Sequence, residues 1–391
     1  MKEISGVVLK PGKEKPIKNF HHWIFSGAIE SAPDFSDGDV LPVYSAAHEL
    51  LGRAYFNSKT SISGRMIVWG DEVPSKMIQD RLSSAVKMRQ ILFSDENTNA
   101  YRLVNSEGDG LPGLVVDKYS DVLVMQIATA GIDKLKKIIV DWLIENLKPK
   151  AIYEKSDMSS RREEGIPPCE KLLFGELPKK LVVIENGNKF AVDIVGGQKT
   201  GFFLDQREMR NYVGSISKGK KILNCFGYTG GFSVYAARSG AEEVMTVDIS
   251  ESAVRLAEEN FILNNFDTEK NGFIVADVFE YLRNEPLNFD LIILDPPAFA
   301  KKKDDVMKAC RGYKDINRVV LSKMPPHSIL VTSSCSYHVD PALFQQVIFQ
   351  AARDARRRVR IIGRHAQVPD HPLNIFHPEG EYLKSLVLFV E

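Results

Sequence analysis

The sequence predicts an α/β protein whose C-terminal half is a doubly wound parallel sheet, preceded by a small β-barrel and a central α+β region. Three observations carry this expectation. From about Gly219, short Val/Ile/Leu-rich runs alternate with helical stretches, as buried parallel strands with crossover helices require. The first 72 residues instead hold short strand-like pieces broken by turns, without a long helical period. A length of 391 residues also exceeds what one ordinary core holds, so two or three domains are expected. The boundaries read from the sequence are 1–72, 73–187 and 188–391.

In chain order, the barrel pieces are Gly6–Leu9, Asp39–Tyr44 and Gly64–Trp69, separated by turns at Pro11-Gly12 and Ser36-Asp37-Gly38. A helix from about Pro74 to Phe93 follows, with Ile78, Leu82, Ala85, Val86 and Met88 on its apolar positions. Strands at Gly113–Lys118 and Val122–Ile127 flank Tyr119-Ser120-Asp121. An amphipathic helix covers about 131–147 and ends before Pro149. Strands near 151–154, 181–185 and 189–194 complete the middle region. The C-terminal strands are Lys221–Asn224, Glu243–Asp248, Gly272–Ala276, Phe289–Asp295 and Ser328–Ser333, with helices at 231–239 and 251–264 between them.

Composition excludes several classes. Hydrophobic residues make up 44% and charged residues 26%, as in soluble globular chains. Met1-Lys2-Glu3-Ile4-Ser5 lacks the basic start and apolar stretch of a signal peptide, and no uncharged apolar run approaches the ~20 residues that span a bilayer. A cytoplasmic protein without a membrane partner is expected. Cys169, Cys225, Cys310 and Cys335 are scattered without CxxC spacing, and the histidines show no metal-ligand spacing, so neither disulfides nor a metal are expected. The net charge of zero argues mildly against nucleic acid. Two basic runs stand out locally: Lys301-Lys302-Lys303, and the arginines at 353, 356, 357, 358, 360 and 364. Each reads equally well as a contact to nucleic acid and as an ordinary solvated helix face or charged loop.

Ligands of doubly wound sheets sit beyond the carboxyl ends of the strands, so the residues there decide the function. The first strand runs into Asn224-Cys225-Phe226-Gly227-Tyr228-Thr229-Gly230-Gly231-Phe232. Its glycines let backbone pass close to a ligand, but the spacing is not the G-x-G-x-x-G of dinucleotide enzymes. The second strand ends in Asp248, placed to accept from ribose hydroxyls. The third ends at Asp277-Val278, where a carboxylate can take an adenine amino group and an apolar side chain can cover the ring. Together these three features point to a bound nucleoside.

The fourth strand ends in Asp295-Pro296-Pro297-Ala298-Phe299, which resembles the Asp-Pro-Pro motif of class I (Rossmann-like) methyltransferases acting on bases. The prolines stiffen a wall for the acceptor, and Asp295 can hydrogen-bond the base edge. Phe299 either stacks on the base or plugs the core. The next strand ends in Ser333-Ser334-Cys335-Ser336-Tyr337-His338. Carbon 5 of a pyrimidine becomes nucleophilic only after a thiolate adds to carbon 6, and Cys335 is placed for that addition. An unperturbed thiol is only a few per cent ionised at neutral pH, so it needs help, for which His338 is the candidate. The alternative for Cys335 is a small residue buried at a strand end. Cys225 is read as packing.

The chain resembles, over nearly its whole length, the S-adenosylmethionine-dependent methyltransferases of large-subunit ribosomal RNA that form 5-methylcytosine. The likeness rests on His22–Ile29, Gly108–Asp117, Lys199–Arg207, the Asn224 loop, Asp295–Lys301, Arg311-Gly312-Tyr313, Ser334-Cys335-Ser336, Asp370-His371-Pro372 and Glu379–Lys384. It implies an N-terminal PUA domain that binds RNA, S-adenosyl-L-methionine as cofactor, and Cys335 as nucleophile. It further implies cofactor contacts from Phe203, Asp205, Gln206, Arg207, Asn224, Phe226, Gly227, Tyr228, Thr229, Gly230, Asp248, Ile249, Asp277, Val278 and Asp295. RNA contacts are implied for Pro296, Pro297, Phe299, Lys301, Lys302 and Lys303. His22 departs from the family, which usually has proline there. Two other functions remain open: methylation of a base nitrogen without a thiol, and a non-catalytic RNA-binding assembly factor. A homodimer is compatible with the sequence, which fixes neither the oligomeric state nor the target nucleotide.

Overall fold

The computed structural model describes residues 5–94, 96–300 and 302–391. The chain forms two compact units: Met1–Leu181 with Asp193–Gly201 and Pro369–Gly380, and Val182–Val192 with Phe202–Val368 and Glu381–Glu391. None of the described helices is long and apolar enough to cross a membrane.

The first unit opens with strands β1 (Val7–Leu9), β2 (Trp23–Phe25), β3 (Ile29–Ser31), β4 (Val40–Tyr44), β5 (Leu50–Phe56) and β6 (Ile62–Trp69). They form one sheet in the order β2-β6-β5-β4-β1-β3. Their inward residues, among them Val7, Leu9, Ile24, Val43, Phe56 and Met66, make a small core to which the one-turn helix α1 (Lys15–Lys18) adds Ile17. A five-stranded sheet follows, in the order β11 (Cys169–Gly175), β10 (Ala151–Ser156), β9 (Val122–Ile127), β8 (Leu114–Tyr119), β7 (Ala100–Asn105). Helices α2 (Pro74–Leu92) and α3 (Ala130–Leu147) cover it, and α4 (Ser159–Glu163) precedes β11. Proline supplies the first turn of α2, and the Thr129 hydroxyl caps α3 by accepting from Ile132 N–H. The fully buried Arg89 binds Asp109 through both guanidinium ends, at 2.6 and 2.8 Å, and donates to the Asp370 carbonyl. That contact fixes the 369–380 segment within this unit.

The second unit begins with the hairpin β12 (Leu181–Glu185) and β13 (Asn188–Val192) and helix α5 (Arg207–Ser215). The sequence assigned that hairpin to the middle region, but residues 182–192 group with the second unit, where Asn260 and Asn264 accept from Ala191 and Lys189 N–H. Strands β14 (Lys221–Cys225), β15 (Glu243–Asp248), β16 (Gly272–Val275), β17 (Leu291–Leu294) and β18 (Ser328–Ser334) alternate with α6 (Gly231–Arg238), α7 (Glu251–Leu263), α8 (Val278–Asn284) and α9 (Val306–Lys323). After α10 (Pro341–Asp354) come β19 (Val359–Ala366) and β20 (Lys384–Val390). The order is β16-β15-β14-β17-β18-β20-β19. The expected parallel sheet therefore needs one correction. Strand β20 is antiparallel to both β18 and β19, because α10 carries the chain past the position beside β18 and β20 returns to fill it. Of the arginine run, Arg353 lies on α10 and Arg356, Arg357 and Arg358 in the loop after it, whereas Arg360 and Arg364 lie on edge strand β19.

One buried ion pair carries helix α5. Glu185 is fully buried and accepts from Arg210 at 2.8 and 2.7 Å and from the Tyr235 hydroxyl at 3.0 Å. The guanidinium of Arg210 also lies 4.6 Å from the Phe202 ring centroid. Removing the carboxylate leaves a buried cation without its counter-charge, which costs far more than the pair contributes net. Glu185→Leu is accordingly expected to lower unfolding free energy by about 3–5 kcal/mol in urea titration. A loss below about 1 kcal/mol would show that the pair is dispensable.

Candidate active site

Strand register brings the expected residues to one end of the second unit's sheet. Cys225 lies opposite Val247 and Leu294, Leu294 opposite Thr332, and Asp248 opposite Val275. The residues that follow those positions, including 226–230, 249, 277, 295 and 335, thus emerge along a shared rim.

The loop after β14 is tightly bent. Phe226 (φ 58°) and Tyr228 (φ 46°) are left-handed, a conformation that costs non-glycine residues energy and concentrates at functional sites. Gly230 (φ 74°) completes the turn and leads into α6; a Cβ there would lie 2.9 Å from Ala257 Cβ. Asp248 pins the loop by accepting from Tyr228 N–H and Ser250 N–H, both at 2.9 Å. A carboxylate has about four acceptor positions, so lone pairs remain for ligand hydroxyls. Ile249 beside it is 68% exposed, an apolar side chain open to the solvent at the rim.

Two expected contacts sit elsewhere. Asn224 is fully buried, and its amide donates to Ser233 Oγ at 2.8 Å, so it shapes the loop from beneath. Val278 packs into the hydrophobic core rather than lining the rim. Asp277 caps α8 by accepting from Phe279 and Glu280 N–H through one oxygen, leaving its exposed second oxygen out of that cap.

The 203–207 segment folds over the same rim. Gln206 Nε2 donates to Asp295 Oδ1 at 2.9 Å, Tyr382 OH donates to Asp205 Oδ2 at 2.7 Å, and Phe203 meets Tyr228 edge-on at 5.2 Å. Arg207 turns away into the core beside Glu185, 3.4 Å from its carboxylate. Buried Gln206 Oε1 and Thr229 Oγ1 make no hydrogen bond, an arrangement that suits a polar ligand supplying donors.

Beyond Asp295, Pro296 is buried and Pro297 exposed. Phe299 packs between Tyr313 (4.5 Å) and Phe279 (6.0 Å), which assigns it to the core rather than to a stacking platform. Cys335 is partly exposed at the end of β18. The next residue, Ser336, is fully buried and anchors the loop: its Oγ accepts from Ala300 N–H at 3.1 Å and pairs with Tyr313 OH at 2.9 Å. His338, the expected helper, sets its ring against Tyr337. The cation against this loop is instead Lys384, whose Nζ donates to the Ser336 carbonyl at 2.6 Å. Burial pushes its ammonium down to about 8, against the opposing pull of Cys335, Glu381 and Asp340. Lys384 and Ser336 lie within the motifs of the resemblance but carry no sequence signal of this contact, because only the β18–β20 pairing unites them.

Burial raises the pKa of the other thiols, Cys225, Cys310 and Cys169, which makes each a poor nucleophile. The basic runs are partly spoken for. Arg353 pairs with Asp354, Arg357 with the carbonyls of Glu391 and Met324, Arg360 with Glu391, and Arg364 with Gln345. Lys302 and Lys303 are exposed, whereas Lys301 lies outside the described residues. In the first unit, His21, His377 and Glu379 form one cluster that sequence spacing did not suggest. His21 Nδ1 accepts from Trp23 N–H, so its Nε2 carries the hydrogen and donates to Glu379, 3.2 Å away. That tautomer does not ligate a metal through Nε2.

A family model described as S-adenosylmethionine-dependent methyltransferase matches residues 159–381, and one for a PUA-like domain matches residues 7–69. Proteins named ribosomal RNA large subunit methyltransferase I from Shewanella denitrificans and Aliivibrio fischeri are each 41% identical, over 97% of this chain and 98% of theirs. A SAM-dependent methyltransferase structure from Streptococcus mutans superposes with a TM-score of 0.84 at 25% identity, covering 98% of this chain and 99% of that one. The methyltransferase SMU.776, solved in complex with SAH, gives 0.85 at 26% identity over the same shares of each chain.

Asp248→Asn keeps the shape but loses the charge offered to ligand hydroxyls. It is expected to weaken S-adenosylmethionine binding about tenfold (~1.5 kcal/mol) in titration calorimetry. Unchanged affinity would remove Asp248 from the cofactor site.

Proposed function

The chain belongs to the S-adenosylmethionine-dependent methyltransferase family, with a PUA-like domain at its N-terminal end, and on that premise we propose that it forms 5-methylcytosine in large-subunit ribosomal RNA through a covalent adduct of Cys335. The RNA substrate follows the names of its relatives, which share 41% identity over nearly the full chain. One observation carries the chemistry: a carboxylate and a thiol follow adjacent parallel strands, β17 and β18, and Ser336 ties their two loops together.

In this reading 1–72 holds RNA, the rest of the first unit forms the central domain, and the second unit carries out the transfer. The glycine loop, Asp248, Ile249, Asp277, Phe203, Asp205 and Gln206 hold the cofactor, which supplies an electrophilic methyl group on sulfur. Exposed Lys302 and Lys303 engage backbone phosphates, and the target base is turned out of its stack. Asp295, held by Gln206, orients the base through its edge. Cys335 Sγ would bond to carbon 6, and carbon 5 would take the methyl as the methyl–sulfonium bond breaks and leaves a thioether. The carbon 5 proton would pass to a base, and the bond between carbon 6 and Cys335 Sγ would then break to restore the ring.

The test is methyl incorporation into ribosomal RNA from a labelled donor. Cys335→Ala is expected to lose roughly 10³-fold or more in rate, and wild-type product should digest to 5-methylcytidine by mass spectrometry. Full activity of the variant, or a nitrogen-methylated nucleoside, would sink the covalent route. Absence of any incorporation by wild type, with RNA still bound, would leave a binding protein only.

A further inference from the structure

Addition to carbon 6 requires a thiolate, and a thiolate at neutral pH requires a counter-charge. Lys384 stands out for the opposite imbalance. Its side chain is 7% exposed, yet Nζ makes hydrogen bonds to two backbone carbonyls, Ser336 at 2.6 Å and Tyr382 at 2.8 Å. Among the described residues, it has no carboxylate within ion-pair distance. An ammonium withdrawn from water and opposed only by neutral carbonyls is costly unless an anion shares the site. The antiparallel register places Lys384 opposite Ser334, the residue before Cys335, and the first of its two carbonyl partners belongs to the residue after it. The backbone of Lys384 thus lies opposite the residue before the thiol, and its amine is held at the carbonyl of the residue after it. Of the charges that act to keep the ammonium protonated, Cys335 ranks ahead of Glu381 and Asp340. Tyr313 faces the same loop, and burial raises its hydroxyl, so it stays neutral beside the sulfur.

Building on the reading of Cys335 as nucleophile, we infer that Lys384 is the counter-ion that holds Cys335 as a thiolate. Two of its N–H groups are held by carbonyls, which leaves the third for sulfur. When the amine is neutral, the S–H bond breaks and its proton passes to Nζ. When Nζ is already protonated, the thiol proton goes to water. Both routes give one ammonium and one thiolate. The same ammonium receives the sulfur again when the adduct collapses. Lys384 acts through Cys335 and is a positioning residue.

Two measurements on the full chain test this. The first follows iodoacetamide alkylation of the Cys335 peptide by mass spectrometry across pH. Relative to wild type, K384M should move the midpoint upward by about one unit and slow the reaction about tenfold at neutral pH, whereas K384R should stay near wild type. A K384M protein that melts like wild type and keeps the wild-type midpoint overturns the inference. The second needs no change at Lys384: with ¹³Cε-labelled lysine, C335S should lower the Lys384 midpoint, since coupling is reciprocal. An unmoved Lys384 midpoint is equally fatal. Loss of the covalent route itself is read separately: an active Cys335→Ala would defeat that reading while the alkylation midpoints still report on the pair.

Discussion

The Ser336 hydroxyl, shared between Ala300 N–H and Tyr313 OH, holds three elements in one arrangement. Ala300 closes the loop that begins at Asp295, Tyr313 projects from α9, and Ser336 follows Cys335. Each partner is buried, so water cannot substitute for any of these hydrogen bonds. The Ser336 carbonyl then takes Lys384, which draws β20 into the same knot. A site with a carboxylate and a thiol on separate loops needs such a common fixing point, since small misplacement is costly in catalysis. Tyr313 packs at a tilt against Phe299 and meets Phe344 edge-on, and this packing anchors the knot in the hydrophobic core.

A second fixed point lies across the rim. Arg210, neutralised by Glu185, donates to the Phe203 carbonyl and thereby sets the start of the segment that carries Asp205 and Gln206. Gln206 passes the constraint to Asp295. Strain in the loop at Phe226 and Tyr228 persists because Asp248 holds Tyr228 N–H and Asn260 holds the Thr229 carbonyl. The rim is therefore braced from several directions, as expected where geometry must not relax.

What could be read from sequence was what period and punctuation encode. Strands β14 to β18 announce themselves as apolar runs, and the carboxyl-end residues Asp248, Asp277, Asp295 and Cys335 follow from the fold class alone. Strands β11 and β19 escaped because they lie largely exposed and carry no apolar alternation. Strand β20 is not among the strands the sequence predicts, and its reversal depends on pairing rather than on local pattern. Phe299 was left undecided because stacking on a base and packing in a core demand the same ring. His338 is legible as a helper because it lies near Cys335 along the chain, whereas Lys384 comes to the same loop only through the β18–β20 pairing.

Because β20 lies between β18 and β19 although it follows both in the chain, the sheet has an open slot until the segment 384–390 has been made. During vectorial synthesis, β18 would present an unpaired hydrogen-bonding edge in the interim, and an exposed edge invites pairing with other chains. The segment that fills this slot also brings Lys384. Protection of the edge and arrival of the cation are thus a single event, so a nascent chain with an open sheet is also one whose thiol lacks its partner.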